Sequence, residues 1–356
     1  MREKYYSLSL FQVFAAICIV LRHYTYFMGG QGEIASYLGR MNFVEFFFCC
    51  SGFFVFRASL FKGRIGSGFM VGRLAKLYPL HFLTTCFFLL VLCLRYTGAY
   101  TPVSGNSYSF SDAPYVLALL HSFFVTDGNV FNYPSWYLSA QFFMYILFIP
   151  AFFALRKWTD TAARVGLGLV VLSVVLAELI SAGSSRHWTD RTYDFGALRA
   201  IPSFFSGVLI GFYFDRLRRF RLGWGWGLAL VACCFVAFSV DQAPVLTYFL
   251  LQIALVPVLA LAELSYGRMR EFRIGGIELG ELSFGIYMLH VPVATVLLSF
   301  IARRMGGEAW MPVWIMVAVS VSIFASWVWC RYFSEKSSTL FSLLCIRLWG
   351  HGRVVR

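Results

Sequence analysis

The chain has 356 residues, 59% of them hydrophobic and 19% aromatic. Only 13% are charged, against about 25% in soluble domains, which excludes a soluble globular enzyme. The net charge of +13 sits in short basic clusters between apolar runs, which excludes nucleic acid as a partner and makes membrane lipids the expected surroundings.

Apolar runs close to the length that crosses hydrocarbon as a helix recur along the chain. They predict spans near 7–28, 40–61, 75–97, 135–155, 163–182, 198–214, 223–240, 244–264, 280–302 and 309–333. The runs do not alternate polar with apolar residues, which disfavours a β-barrel. The expected fold class is all-α: a polytopic transmembrane helix bundle of about ten spans. Residues 1–340 read as one integral domain and 341–356 as a short C-terminal tail. The opening MREKYYSLSL has no small-residue cleavage site, so the first span is read as retained.

Lys62, Arg64, Arg73 and Lys76 follow the second span, and Arg156, Lys157 and Arg164 the fourth. Arg216, Arg218, Arg219 and Arg221 follow the sixth, and Arg268, Arg270 and Arg273 the eighth. All fall on one side, which the positive-inside rule makes the cytoplasm, with both termini on that side. The opposite loops, 98–134 and 183–197, are longer, polar and aromatic. The first holds a short apolar stretch, Tyr115 to Val125, too short to cross and read as re-entrant or interfacial. Arg303, Arg304 and Glu308 mark the last outer loop, against the charge rule. The nine cysteines form neither a disulfide framework nor a metal-ligand pattern, and no metal is expected.

The first span carries Arg22 and His23 inside its apolar run. Titratable groups are costly in a bilayer and mark function there; the competing reading is that the pair ends the span and reaches for headgroups. Counting from span ends places His23, Glu45 and Gln141 at one depth near the outer face. Three helices would then bring an imidazole, a carboxylate and an amide into one layer. A carboxylate fixes an imidazole's tautomer, and a group titrating near ~6.5 suits a general base.

Gln12 lies eleven residues before His23, roughly 16 Å deeper and facing broadly the same way. It lines a polar passage or bonds a neighbouring helix. Ser283, Tyr287 and His290, at i, i+4 and i+7 of the ninth span, carry the same two readings. Ser51 and Gly52 read as a close helix-packing contact. His81, His121 and His187 have no evident partner.

Several segments, in order along most of the chain, resemble the bacterial membrane acyltransferase 3 family. The first span is similar to the family's opening helix, in which an arginine is followed after ten residues by a histidine; His23 matches the histidine and Gln12 stands at the arginine. FVEFFFCCSGFFVF, 43–56, resembles the family's G-V-D to S-G-F signature, with Glu45 at the aspartate and Ser51, Gly52 and Phe53 matching. RLAKLYPLHF, 73–82, matches a basic stretch ending in Tyr-Pro through Arg73, Lys76, Tyr78 and Pro79. WYLSAQFFMY, 136–145, resembles W-x-L-S-x-E with Gln141 at the glutamate. RAIPSFFSGVLIG, 199–211, LGELSFGIYMLHVP, 279–292, and FSEKSS, 333–338, also fit.

The resemblance implies an O-acyltransferase of the bacterial inner membrane. Its donor would be cytoplasmic acyl-CoA, acetyl-CoA by default, and its acceptor a hydroxyl of an extracytoplasmic glycan or lipid-linked glycan. No permanently bound cofactor is expected. On this reading His23 is the base, Glu45 orients it, and Arg22 or Gln141 steadies the oxyanion. Gln12, Ser283 and Tyr287 line the donor passage, and Arg73 and Lys76, with Tyr78 in the same stretch, meet the CoA phosphates. Arg22, Trp136 and Arg199 stand at the acceptor side; headgroup contact, the interfacial aromatic belt and snorkelling are their respective plain readings. The two glutamines at charged family positions keep a catalytically degenerate binding protein open as an alternative. A transporter or flippase is the rival from another class, although internal repeats and interrupted helices are not found.

Overall fold

The structure, a computed structural model, describes residues 5–25, 33–62, 65, 68–98, 109–128, 130–184, 187–240, 244–266, 273–302, 305 and 310–349. Arg64, Arg268, Arg270, Arg303, Arg304 and Glu308 of the loop reading lie outside these residues, as do 99–108 and 350–356.

The described residues are almost entirely helical. In chain order they form α1 (Tyr6–Tyr24), α2 (Glu33–Arg40), α3 (Val44–Lys62), α4 (Phe69–Tyr96), α5 (Ala113–Leu117) and α6 (Trp136–Ala182). There follow α7 (Gly196–Leu217), α8 (Trp224–Ser239), α9 (Val245–Ser265), α10 (Leu279–Ala294), α11 (Met311–Val328) and α12 (Ser334–Trp349). Among the described residues, nine helical stretches are long and apolar enough to cross a membrane. α8 is apolar but, at 16 residues, rises only about 24 Å. The all-α polytopic bundle expected from the apolar runs is the fold.

The fourth and fifth expected spans are two arms of α6, which breaks at Thr159, where φ is 46° and ψ is −118°. Arg156, Lys157 and Arg164 bracket that break, so the basic cluster sits where the chain turns back. The tenth run continues past a π-helical stretch, Trp329–Phe333, into α12, whose Phe341 ring packs 5.2 Å from Tyr78 on α4.

Two contacts fix how the central helices meet. Lipid tails are as apolar as leucine, so helices associate in a bilayer through close packing rather than water exclusion. A Cβ on Gly52 of α3 would stand 2.0 Å from the Phe204 carbonyl oxygen, and one on Gly207 of α7 would stand 2.0 Å from that of Cys49. The two backbones therefore touch, as the Ser51–Gly52 reading expects of Gly52. Phenylalanine rings, among them Phe48, Phe53, Phe148, Phe204 and Phe214, fill the space around this contact.

The start of α1 is held by a carboxylate. Glu263, buried near the end of α9, accepts from the backbone N–H groups of Ser7 at 2.8 Å and Tyr6 at 3.2 Å. Those N–H groups have no partner inside the helix, and the positive end of its dipole favours the negative charge. A short hairpin, Arg273–Ile274 with Ile277–Glu278, leads into α10. It turns through Gly275 and Gly276 at φ 57° and 83°, angles that suit glycine.

The short apolar stretch between α4 and α6 folds back along α4. The Tyr78 hydroxyl donates to the Leu117 carbonyl at 3.0 Å, and His81 Nε2 stands 3.0 Å from the Val116 carbonyl. Asn132, just before α6, donates to Thr84 and Thr85 at 3.0 Å each. The segment thus enters beside the middle of α4 and delivers the chain to the start of α6.

Candidate active site

His23 lies in the last turn of α1, and its partner is a second histidine. His23 Nδ1 stands 2.7 Å from Nε2 of His290 on α10, with the rings 13° from parallel. His290 is fully buried, and its Nδ1 faces the Tyr287 carbonyl one turn back. The Tyr24 hydroxyl donates to the His290 carbonyl at 2.9 Å, and the Tyr133 ring meets His23 edge-on at 5.3 Å.

This chain of contacts determines where the protons are. A carbonyl only accepts, so His290 Nδ1 carries hydrogen and donates to it. In neutral His290, Nε2 is then the acceptor, and His23 Nδ1 must donate. The remaining ring nitrogen of His23, Nε2, keeps its lone pair and has no partner among the described residues. A half-buried imidazole with one nitrogen fixed as donor and the other open is the arrangement a general base requires.

One helical turn toward the basic ends of the helices lies a cavity of about 130 Å³. Its walls include Gln12 and Ile19 of α1, Ser51 of α3, Gln141 of α6, and Ser283 and Tyr287 of α10. Each of these helices contributes a stretch of eight or nine residues, so the cavity is about 10–12 Å long. Ile19 is one turn from His23, Tyr287 one turn from His290, and Tyr137, another wall, one turn from Tyr133. The His23–His290–Tyr133 layer therefore lies one helical turn beyond this end of the cavity, outside its lining residues. The volume is well below the ~300–1,000 Å³ that encloses a drug-sized ligand, so the cavity suits a slender chain rather than a sugar.

Two cations flank the other end. The Arg73 guanidinium lies 5.3 Å from the ring of Tyr145, a cavity wall, and 5.5 Å from that of Phe69. Lys76 pairs at 3.0 Å with Glu281, which neighbours the wall residue Gly280. Gln12, Ser283 and Tyr287 thus share one cavity with Gln141, and Arg73 and Lys76 stand beside it. Tyr78 does not join them. Its hydroxyl is taken by Leu117 and its ring by Phe341, on a face of α4 turned from that of Leu77, which does line the cavity.

Glu45 does not orient His23. Arg199 Nε donates to one carboxylate oxygen at 2.8 Å, and the Ser203 hydroxyl donates to the other. A buried carboxylate needs such partners, and α7 lies against α3 to supply them. Gln141 is not in the His23 layer either. It sits eight residues past Tyr133, about 12 Å further along the chain's rise, where its Oε1 accepts from Tyr137 at 3.2 Å.

Of the three acceptor-side candidates, Arg199 and Trp136 depart from their plain readings. Arg199 is buried rather than snorkelling: besides Glu45 it donates to the Arg191 carbonyl at 3.0 Å and lies 5.1 Å from the Trp136 ring. Trp136 is buried between that guanidinium and Gly196, not in an interfacial belt. Arg22 lies 3.8 Å from Asp190 in the loop before α7.

The family model for an acyltransferase domain matches residues 5–332. The chain belongs to this acyltransferase family. Among the curated relatives, the acyltransferase MdmB of Streptomyces mycarofaciens is 25% identical over 280 residues, which covers 74% of this chain and 70% of that protein. No solved structure matches the chain. With its spans, the protein is a multi-pass membrane acyltransferase, and the transporter reading gives way.

For this acyltransferase, His290 is the site residue that sequence reasoning misplaced. Its spacing puts it on the face of Ser283 and Tyr287, among the residues of the passage. The available signal was a second imidazole inside an apolar helix, as costly in a bilayer as the first. His81 and His121 also have partners, the Val116 carbonyl at 3.0 Å and the Ser135 hydroxyl at 2.9 Å. His187 pairs with Glu178 at 3.1 Å.

Proposed function

We propose that this acyltransferase moves an acyl group, acetyl in the simplest case, from cytoplasmic acyl-CoA to a hydroxyl of a glycan or lipid-linked glycan across the bacterial inner membrane. The observation that carries the reading is the open Nε2 of His23 one turn beyond the end of a slender cavity whose far end is flanked by Arg73 and Lys76. A thioester at the end of a flexible arm fits that shape, with the phosphates left among the cations as charge-assisted acceptors.

The step conserves atoms and charge. The acceptor hydroxyl gives its proton to His23 Nε2 as its oxygen forms a bond to the thioester carbonyl carbon. His290 accepts the hydrogen bond from Nδ1 and steadies the imidazolium that results. The tetrahedral intermediate breaks its C–S bond, and the departing thiolate takes the proton from Nε2. His23 returns to its starting tautomer.

The test uses purified protein in nanodiscs with isotope-labelled acetyl-CoA and bacterial surface oligosaccharide. Label transfer that His23→Ala lowers by about two to four orders of magnitude, with insertion and yield retained, is the expected result. Transfer that persists in His23→Ala removes the base from this site. Hydrolysis without transfer points to a different acceptor.

A further inference from the structure

Gln141 has a donor with nothing to donate to. The residue is 2% exposed, its Oε1 is taken by Tyr137, and its Nε2 is buried with no hydrogen-bond partner. Tyr145 is close enough to feel the amide, but no acceptor stands at hydrogen-bond distance. A buried N–H left unmade is costly, and proteins keep one where a ligand completes it. Gln141 lines the cavity, so the missing partner is an acceptor on whatever fills it.

We propose that Gln141 Nε2 reads an amide carbonyl on the donor's arm, and that this contact makes the enzyme select pantetheine-type thioesters. The inference rests on the donor reading above. Position decides which carbonyl is read. The reacting thioester carbon must lie beside His23 Nε2, and Gln141 lies about 12 Å of rise from Tyr133, which packs on His23. An oxyanion at the thioester is therefore out of its reach.

An extended chain advances about 1.2 Å per bond, as the span of a three-bond residue shows. In a pantetheine thioester the two amide carbons lie about five and nine bonds from the thioester carbon, or about 6 and 11 Å along the arm. The farther amide meets Gln141. Gln141 is then a specificity residue of the donor arm, not a group that stabilises the reacting oxygen.

Three donors that share one acyl group separate the possibilities: S-acetyl-pantetheine with both amides, S-acetyl-N-acetylcysteamine with the nearer one, and S-acetyl-ethanethiol with neither. Full-length enzyme in nanodiscs should favour the pantetheine donor over the N-acetylcysteamine donor in kcat/KM by about tenfold or more. Gln141→Leu and Gln141→Met should each close that gap, mainly through KM. Gln141→Met keeps the length of the side chain and removes the donor, so it reports the contact where Gln141→Leu yields too little folded protein. An equal fall with all three donors, or a gap that survives both substitutions, overturns the assignment while leaving the donor reading intact. Wild-type enzyme that turns over none of the thioesters overturns both.

Discussion

Nδ1 of His23 and Nε2 of His290 stand 2.7 Å apart, and the Tyr287 carbonyl at the far side of His290 sets the direction of the hydrogen bond between them. The relay makes His290 a positioning residue. His290→Ala should lower kcat by about ten- to a hundredfold, the range in which a misoriented base still works. His290→Gln should recover part of the loss, because its side-chain oxygen can accept the bond from Nδ1. Steady-state kinetics that show His290→Ala equal to wild type would free His23 from this partner.

Glu45 and Arg199 belong to stability rather than chemistry. Removing one member of a buried ion pair strands the other, at a cost of about 3–5 kcal/mol. Glu45→Ala should therefore lower the unfolding temperature in detergent sharply, while activity per folded molecule falls far less than for His23→Ala. A catalytic loss without a thermal one would restore Glu45 to the reaction.

Lys76 offers a test of where the phosphates lie. Its pair with Glu281 is solvent-exposed and contributes at most about 1 kcal/mol to stability. Lys76→Ala should leave thermal unfolding nearly unchanged and raise KM for acetyl-CoA several-fold, an effect that added salt weakens. The KM for S-acetyl-pantetheine, which lacks the nucleotide phosphates, should not move. An equal change for both donors would place the phosphates elsewhere.

The contact of α3 with α7 admits no side chain. Gly207→Ala would drive a methyl group into the Cys49 carbonyl, a shift the two helices can absorb only by separating. Overpacking of this kind costs about 1–3 kcal/mol or more. The expected readout is a fall in monodisperse yield by size-exclusion chromatography, with the same result for Gly52→Ala.

The helices were legible because a bilayer demands long apolar runs, and the run around His23 stood out because charge is rare there. Helical spacing related Ser283 to Tyr287 and the resemblance set Gln12 beside them; all three line one cavity. Depth counted from span ends failed for Glu45 and Gln141. Such counting assumes parallel helices that begin at a common plane, and it cannot tell which neighbour claims a side chain. Arg199, 154 residues from Glu45, claimed that carboxylate, and only the α3–α7 contact brings them together. Trp136 went to an interfacial belt by composition, but Gly196 leaves room for its ring inside the bundle.

The imidazole pair joins residues 267 positions apart, in the first helix and the tenth. During synthesis the N-terminal helix is made long before its counterpart. A ribosome-bound chain that stops short of α10 therefore carries His23 without the partner that fixes its tautomer, and a cavity without its α10 wall. The site is complete only once α10 has joined the bundle, so it forms late in synthesis.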